Sequence, residues 1–254
     1  MYNNWFKIGP VTIHGYGFMI AMGILVAFWL AERLAKKYHL LPEKIDTLIF
    51  LCVIVGFMGA KVLFILTVWK DFLVDPIGIL GSQGFVVYGG ILFGALAGYL
   101  YCKKEDLDFF SYFNILAPCI SLAQAFGRVG CFFAGCCYGL PTDAWYGVTF
   151  PADSLGPGPG IKVIPTELLS SFGNLLIFGA LYFILTKTKQ SRKTGAWYLV
   201  LYGIGRFLVE FLRGDLIRGQ VGILSTSQFI SLFVVAAGIL LMIYQNKRKE
   251  EIVG

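Results

Sequence analysis

The chain has 254 residues, 57% of them hydrophobic and 14% charged, with a mean hydropathy of +0.73 and a formal net charge of +6. A soluble domain carries about 25% charged residues, so this balance excludes an ordinary soluble fold and points to a polytopic membrane protein. The basic excess gathers at the ends of apolar segments, which argues against nucleic acid as a partner.

Seven apolar segments follow one another, at 13–35, 46–69, 86–102, 112–135, 166–186, 196–212 and 226–245. Each reaches or approaches the ~20 residues that cross the hydrocarbon of a bilayer. The fold class expected is all-α: one membrane domain over 1–254, with seven transmembrane helices. The first segment follows twelve polar and aromatic residues and is long enough to span, so no cleavable leader is expected. One alternating set of loops and flanks carries thirteen basic residues, among them Arg33, Lys44, Lys103, Lys104, Lys187, Lys189, Arg192 and Lys193. The opposite set carries five: Lys7, Lys70, Lys162, Arg213 and Arg218. The positive-inside rule then puts the N-terminus outside and the C-terminus in the cytoplasm. The external stretches 70–85 and 140–165 are rich in Gly, Pro and aromatic residues, and a small extracytoplasmic cap of irregular structure is expected there.

Charge inside apolar segments is costly and marks function by default. Lys61 sits in the second segment, after Gly56 and Gly59. Tyr88, Gly89 and Gly90 open the third. Gln124 and Arg128 lie in the fourth, and Arg206, Glu210 and Arg213 make a stripe of alternating sign in the sixth. With the topology above, His14, Tyr16, Tyr88, Arg128–Gly139 and Arg206–Arg213 gather at the outer ends of their segments. The stripe also reads as a self-neutralising Arg206–Glu210 pair. Lys61 and Arg213 also read as cations snorkelling to an interface, and the tyrosines as an aromatic belt. Arg128 has no acidic residue within four positions; Glu210 or a lipid phosphate is its available anion. Two arginines converging on one pocket suit a phosphodiester, whose oxygens match the guanidinium fork.

The densest stretch runs from Gly127 to Gly139, with Arg128 followed by Cys131, Gly135, Cys136, Cys137 and Gly139. Continued as a helix, it would set Arg128, Cys131, Gly135 and Gly139 near one face. Its three cysteines read in three ways: as packing, as a covalent relay or redox pair (Cys131 with Cys136 or Cys137), or as a soft-metal site. Cys52, Cys102 and Cys119 lie in apolar runs and read as small packing residues; the six cysteines form no spaced disulfide framework.

These residues together resemble the bacterial prolipoprotein diacylglyceryl transferases, whose signature runs Gly-Arg-x-Gly-Asn-Phe-x-Asn-x-Glu-x-x-Gly. The frame Gly127-Arg128-Val129-Gly130-Cys131-Phe132 to Gly139 keeps the glycines, the arginine and the phenylalanine. Cys131 and Ala134 stand for the asparagines and Cys136 for the glutamate. Tyr16-Gly17, Ala117-Pro118, Ile164-Pro165-Thr166-Glu167-Leu168 and Tyr202–Arg213 extend the match along the chain. Tyr88-Gly89-Gly90 stands where the family commonly has His-Gly-Gly, and a phenol is a weaker base than an imidazole at neutral pH.

The resemblance implies a seven-helix protein of the bacterial cytoplasmic membrane. It implies transfer of the diacylglyceryl group of phosphatidylglycerol to the lipobox cysteine in the signal-peptide region of a preprolipoprotein, with release of glycerol phosphate. It assigns Arg128, Arg206, Glu210 and Tyr88 to catalysis. Tyr16, Gly89, Gly90, Gly127, Gly139 and Arg213 go to substrate binding, and no cofactor or metal is implied. Two rivals stand beside it: a same-fold transferase with another acceptor, and a non-catalytic phospholipid-binding or anion-transport protein in the membrane.

Overall fold

The computed structural model describes residues 4–8, 11–82, 84–152, 154–188, 191–214 and 219–253, with side chains described except at 4, 6–8, 11, 220 and 248–253. Gln83, Lys189 and Arg218 of the loops and charge pattern above lie outside the described residues. Among the described residues, five helices are long and apolar enough to cross a membrane: α1 (Gly15–Lys37), α2 (Pro42–Thr67), α6 (Phe109–Ala134), α7 (Thr166–Lys187) and α9 (Thr226–Val253), whose Thr226–Lys247 portion qualifies. Two shorter apolar helices accompany them, α5 (Val87–Lys104) with 18 residues and α8 (Thr194–Glu210) with 17. Each predicted apolar segment is thus a helix. The chain forms two compact units, residues 32–112 and residues 1–31 together with 113–254.

In the first of these units α2 and α5 run antiparallel in close contact. Gly59 meets Gly89, Gly56 meets Gly90, and Gly94 and Gly98 meet Cys52. A methyl group on Gly89 would collide with the Gly59 carbonyl. Small residues are the usual means of bringing helices together where lipid offers no hydrophobic drive. The loop between them is more ordered than its composition suggests, because it holds two short helices, α3 (Trp69–Val74) and α4 (Pro76–Gly81). The Asp75 side chain caps α4 by accepting from the Gly78 N–H at 2.9 Å, with Pro76 in the first turn where its missing N–H costs nothing. Lys61 turns back to this loop. Its Nζ donates to the Ser82 carbonyl at 2.7 Å and lies 5.0 Å from the Phe85 ring centre. The far end is closed by the Lys44–Glu105 ion pair.

In the other unit α6 is the central helix. Pro118, Cys119 and Ser121 are among its fully buried side chains. Ser121 Oγ donates to the Asn174 carbonyl at 2.8 Å, and from α7 Ser171 Oγ donates to the Ala125 carbonyl at 2.9 Å. Asn114 clasps the start of α8, donating to the Arg192 carbonyl and accepting from the Gly195 N–H at 2.7 and 2.8 Å. Helices α8 and α9 run antiparallel, with Gly203 against Ser231 and Val235 and Gly238 against Ala196 and Leu199.

Among the described residues three small hairpins add to the helices: β1 (Asn4–Ile8) with β2 (Val11–His14), β3 (Val148–Thr149) with β4 (Lys162–Val163), and β5 (Gln220–Val221) with β6 (Leu224–Ser225). The first segment was expected to be helical from residue 13, but Ile13 and His14 end β2 and α1 begins at Gly15. The β-branched run Val11-Thr12-Ile13 favours a strand, and the Trp5 ring closes over Gly15, where a Cβ would lie 2.9 Å from the indole. Trp5 also meets Phe18 and Phe133, with ring centres 5.2 and 5.0 Å apart. The stretch 140–165 is irregular as expected, apart from β3 and β4, and packs through Phe150 and Val163 onto Phe132.

Candidate functional site

Helix α6 does not run through the signature. It stops at Ala134 in a Schellman motif: Gly135 takes φ +74°, its N–H donates to the Phe132 carbonyl at 3.2 Å, and the Cys136 N–H donates to the Cys131 carbonyl at 3.2 Å. Gly135 and Gly139 therefore do not continue the face of Arg128 and Cys131, as a longer helix would have required. The motif brings the residue after the left-handed glycine back against the one five positions earlier, so Cys136 returns to Cys131. Cys137 then takes φ 73°, uncommon for a side-chain-bearing residue, and the three Sγ atoms lie within 4.8 Å of one another. All three cysteines are half-buried. The Thr166 hydroxyl holds this turn by donating to the Cys137 carbonyl at 2.8 Å. Hydrogen bonds from Cys131 and Cys136, with Arg213 beside them, pull the Cys137 thiol below its ordinary pKa.

Beyond the cysteines the chain is gripped on both sides. The Gly139 N–H donates to the Ile164 carbonyl at 2.9 Å, the Leu140 N–H to the Leu212 carbonyl at 2.9 Å, and Gly139 bridges Arg213 in antiparallel fashion. A Cβ on Gly139 would lie 2.7 Å from both the Ile164 and Leu212 carbonyls, so only glycine fits. This grip fixes the start of the 211–214 segment against the signature and sets Arg213 beside Cys137. Gly127, by contrast, has open space where a Cβ would be.

Arg128 and Arg206 line one cavity of about 50 Å³ between α6, α7 and α8, with Ser170, Asn174 and Tyr202 among its other walls. One water needs ~10–15 Å³ of such space, so the cavity has room for a small polar group. Gly173 of α7 and Gly205 of α8 leave the room for it. Arg128 lies within electrostatic reach of Cys131, Tyr202, Cys137 and Arg213, and Tyr16 of α1 is in reach of Arg128 and the cysteines. Gly130 permits that approach, since a Cβ there would come 3.1 Å from the Tyr16 carbonyl.

Arg206 is held from two sides. Its Nη1 lies 2.7 Å from Glu210 Oε2, and its Nη2 donates to Ser227 Oγ at 2.8 Å. Glu210 is held in turn by the Ser225 hydroxyl, which donates to Oε1 at 2.9 Å. Ser225 is the N-cap of α9 in a capping box: its Oγ accepts from the Gln228 N–H and its own N–H donates to Gln228 Oε1, both at 3.1 Å. So the capping residue of α9 fixes the carboxylate that fixes the guanidinium. Glu210, one of the two anions the sequence offered to Arg128, pairs with Arg206.

The structure thus gathers Tyr16, Arg128, Cys131, Cys136, Cys137, Gly139, Arg206, Glu210 and Arg213 in residues 1–31 and 113–254. Tyr88, Gly89 and Gly90 belong to the unit 32–112. There the two glycines seat α5 on α2, and Tyr88 is 38% exposed. His14 ends β2. Ser170, Asn174, Ser225 and Ser227 were not foreseen, and Tyr202 was named only as the start of the matching stretch Tyr202–Arg213. Each is an uncharged polar residue in or beside an apolar helix, and the Ser-x-x-Gln spacing of Ser225 and Gln228 was the one local signal.

The fold and this cavity define a class: a multi-pass helical membrane protein with two arginines lining one small cavity in its apolar bundle. The sequence model of one family, described as prolipoprotein diacylglyceryl transferase, matches residues 3–244. A phosphatidylglycerol–prolipoprotein diacylglyceryl transferase of Clostridium tetani is 41% identical over 96% of this chain and 98% of its own length. One from Clostridium perfringens is 43% identical over 92% of each chain, and one from Finegoldia magna 32% identical over 96% and 95%. The chain belongs to the prolipoprotein diacylglyceryl transferase family.

Proposed function

We propose that this protein transfers the diacylglyceryl group of phosphatidylglycerol to the lipobox cysteine of a preprolipoprotein and releases glycerol phosphate. The observation that carries the reading is the convergence of Arg128 and Arg206 on one phosphate-sized cavity, in a chain related to named transferases over nearly its whole length. The acceptor's C–S bond forms as the C–O bond to phosphate breaks. The thiol proton leaves to solvent, and the departing phosphate carries the electron pair of the broken bond. Two arginines lining the cavity that receives that phosphate favour the state in which its charge grows. Glu210, Ser225 and Ser227 hold Arg206 in position before lipid arrives, and preorganised donors need no rearrangement during reaction. Tyr16 lines the lipid side of the site, Gly127 and Gly139 shape the signature turn, and Arg213 adds positive potential beside it.

The reading includes seven spans in the bacterial cytoplasmic membrane, an external N-terminus, a cytoplasmic C-terminus and an extracytoplasmic cap at 70–85 and 140–165. The test is turnover in liposomes containing labelled phosphatidylglycerol and a lipobox peptide, following glycerol phosphate and peptide lipidation together. Equal appearance of both products supports the reading. Wild-type rates in Arg128→Ala and Arg206→Ala would sink it.

A further inference from the structure

The transfer reaction makes no use of three thiols, yet the fold gathers them with care. A Schellman turn returns Cys136 to Cys131, and a left-handed φ at Cys137 turns a third sulfur into the same space. We propose that Cys131, Cys136 and Cys137 form a three-thiolate site for one soft monovalent d10 cation, of which copper(I) is the biological example.

The geometry fits a small contraction of the cluster. A metal about 2.3 Å from three sulfurs in a plane holds them about 4.0 Å apart. The three Sγ atoms already lie within 4.8 Å of one another, so closing the site moves each sulfur by well under the length of a bond. The ligands come from a helix end and its capping turn, whose backbone is fixed by hydrogen bonds at Gly135, Cys136 and the Cys137 carbonyl. Thus the site needs no refolding.

Donor type and charge select the ion. Three sulfur donors favour soft cations over hard ones, and zinc in structural sites fills four positions where this cluster offers three. Three thiolates around a monovalent ion leave two negative charges. Arg213 interacts with Cys137, and Arg128 with Cys131 and Cys137, so two fixed positive charges face the cluster. A monovalent ion therefore leaves the assembly neutral, the favourable state for groups withdrawn from water. A divalent ion would leave a net positive charge in the same place. On binding, three S–H bonds are replaced by three S–metal bonds and three protons pass to solvent; neither sulfur nor metal changes oxidation state.

This inference is independent of the transfer activity and is tested without turnover. Reduced full-length protein in detergent is titrated anaerobically with copper(I) against a colorimetric copper(I) chelator. Bound copper is then examined by X-ray absorption. The expected result is one competition-resistant copper per chain, with three sulfur scatterers. That copper should be lost in Cys131→Ser, Cys136→Ser and Cys137→Ser and kept in the Cys52→Ala/Cys102→Ala/Cys119→Ala triple variant. Peptide mapping after maleimide labelling gives a second reading on wild type, which does not depend on variants folding: copper should shield these three thiols together. A two-sulfur spectrum, copper retained by Cys137→Ser, or no shielding of the three thiols overturns the proposal.

Discussion

Arg206 shows how much a single side chain in an apolar bundle depends on its neighbours. Its charge is offset by Glu210 at 2.7 Å, and both side chains are largely buried, at 14% and 7% exposure. Removing one member of such a pair leaves the other charge without its offset. Glu210→Gln should therefore lower both turnover and the thermal midpoint, whereas Arg128→Ala should mainly lower turnover, because Glu210 is not its partner. Loss of a donor aimed at developing charge costs about 10²–10³ in kcat. Arg128→Ala and Arg206→Ala should each fall in that range in the liposome assay. Arg206→Lys should fall between wild type and Arg206→Ala, because it keeps the charge and loses the fork. If the lysine variant were as active as wild type, charge alone would suffice and the fork argument would fail.

At the level of elements, the ends and crossings of helices carry the precision. Ser225 serves α9 as an N-cap and Glu210 as a hydrogen-bond donor. Ser225→Ala should cost about 1 kcal/mol in stability from the lost cap, and lower turnover as well because Glu210 loses its hold. A cap elsewhere would show only the first effect. Glycines sort in the same way. Gly139→Ala places a Cβ 2.7 Å from two backbone carbonyls, and Gly89→Ala collides with the Gly59 backbone. Overpacking of this kind costs typically ~1–3 kcal/mol, more where backbone must move. Gly179→Ala on α7 meets open space and should be neutral or slightly stabilising. Thermal unfolding of the three variants in one detergent checks the ranking; a stable Gly139→Ala would contradict it.

For the whole molecule, apolar length made the seven long helices legible in the sequence, because a bilayer rewards long apolar runs in one way only, while the short α3 and α4 of the 70–85 loop carried no such signal. The arginines were legible for the converse reason, since charge in an apolar run stands out. What the sequence hid is local geometry. Nothing in Gly135 announces a helix stop against a continuing helix, so the return of Cys136 to Cys131 was not foreseen as geometry. Nor does a serine such as Ser227 differ in sequence from any other serine at a helix start. The β1–β2 hairpin was hidden by its apolar strand, which reads as the beginning of a span.

One whole-molecule expectation is open to a sharp test. Helices α5 and α8 are the short ones; at 1.5 Å per residue they extend about 27 and 26 Å, against roughly 30 Å of hydrocarbon. Tilt of neighbours and local thinning absorb such a mismatch at modest cost. Five spans and seven spans both place the termini on opposite sides, so the termini cannot tell them apart. The loops can. With seven spans, 105–108 and 188–193 face the cytoplasm and 135–165 faces outward; without α5 and α8, all three change sides. The basic residues choose between these arrangements. Seven spans put thirteen on the cytoplasmic side against five, whereas five spans, which release Arg206 of α8 to the outer side, leave eight against eleven and no inward bias. Reporter fusions at Asp106, Asp143 and Arg192 should therefore read inside, outside and inside. The reverse pattern at all three would remove α5 and α8 from the membrane and overturn the seven-span reading.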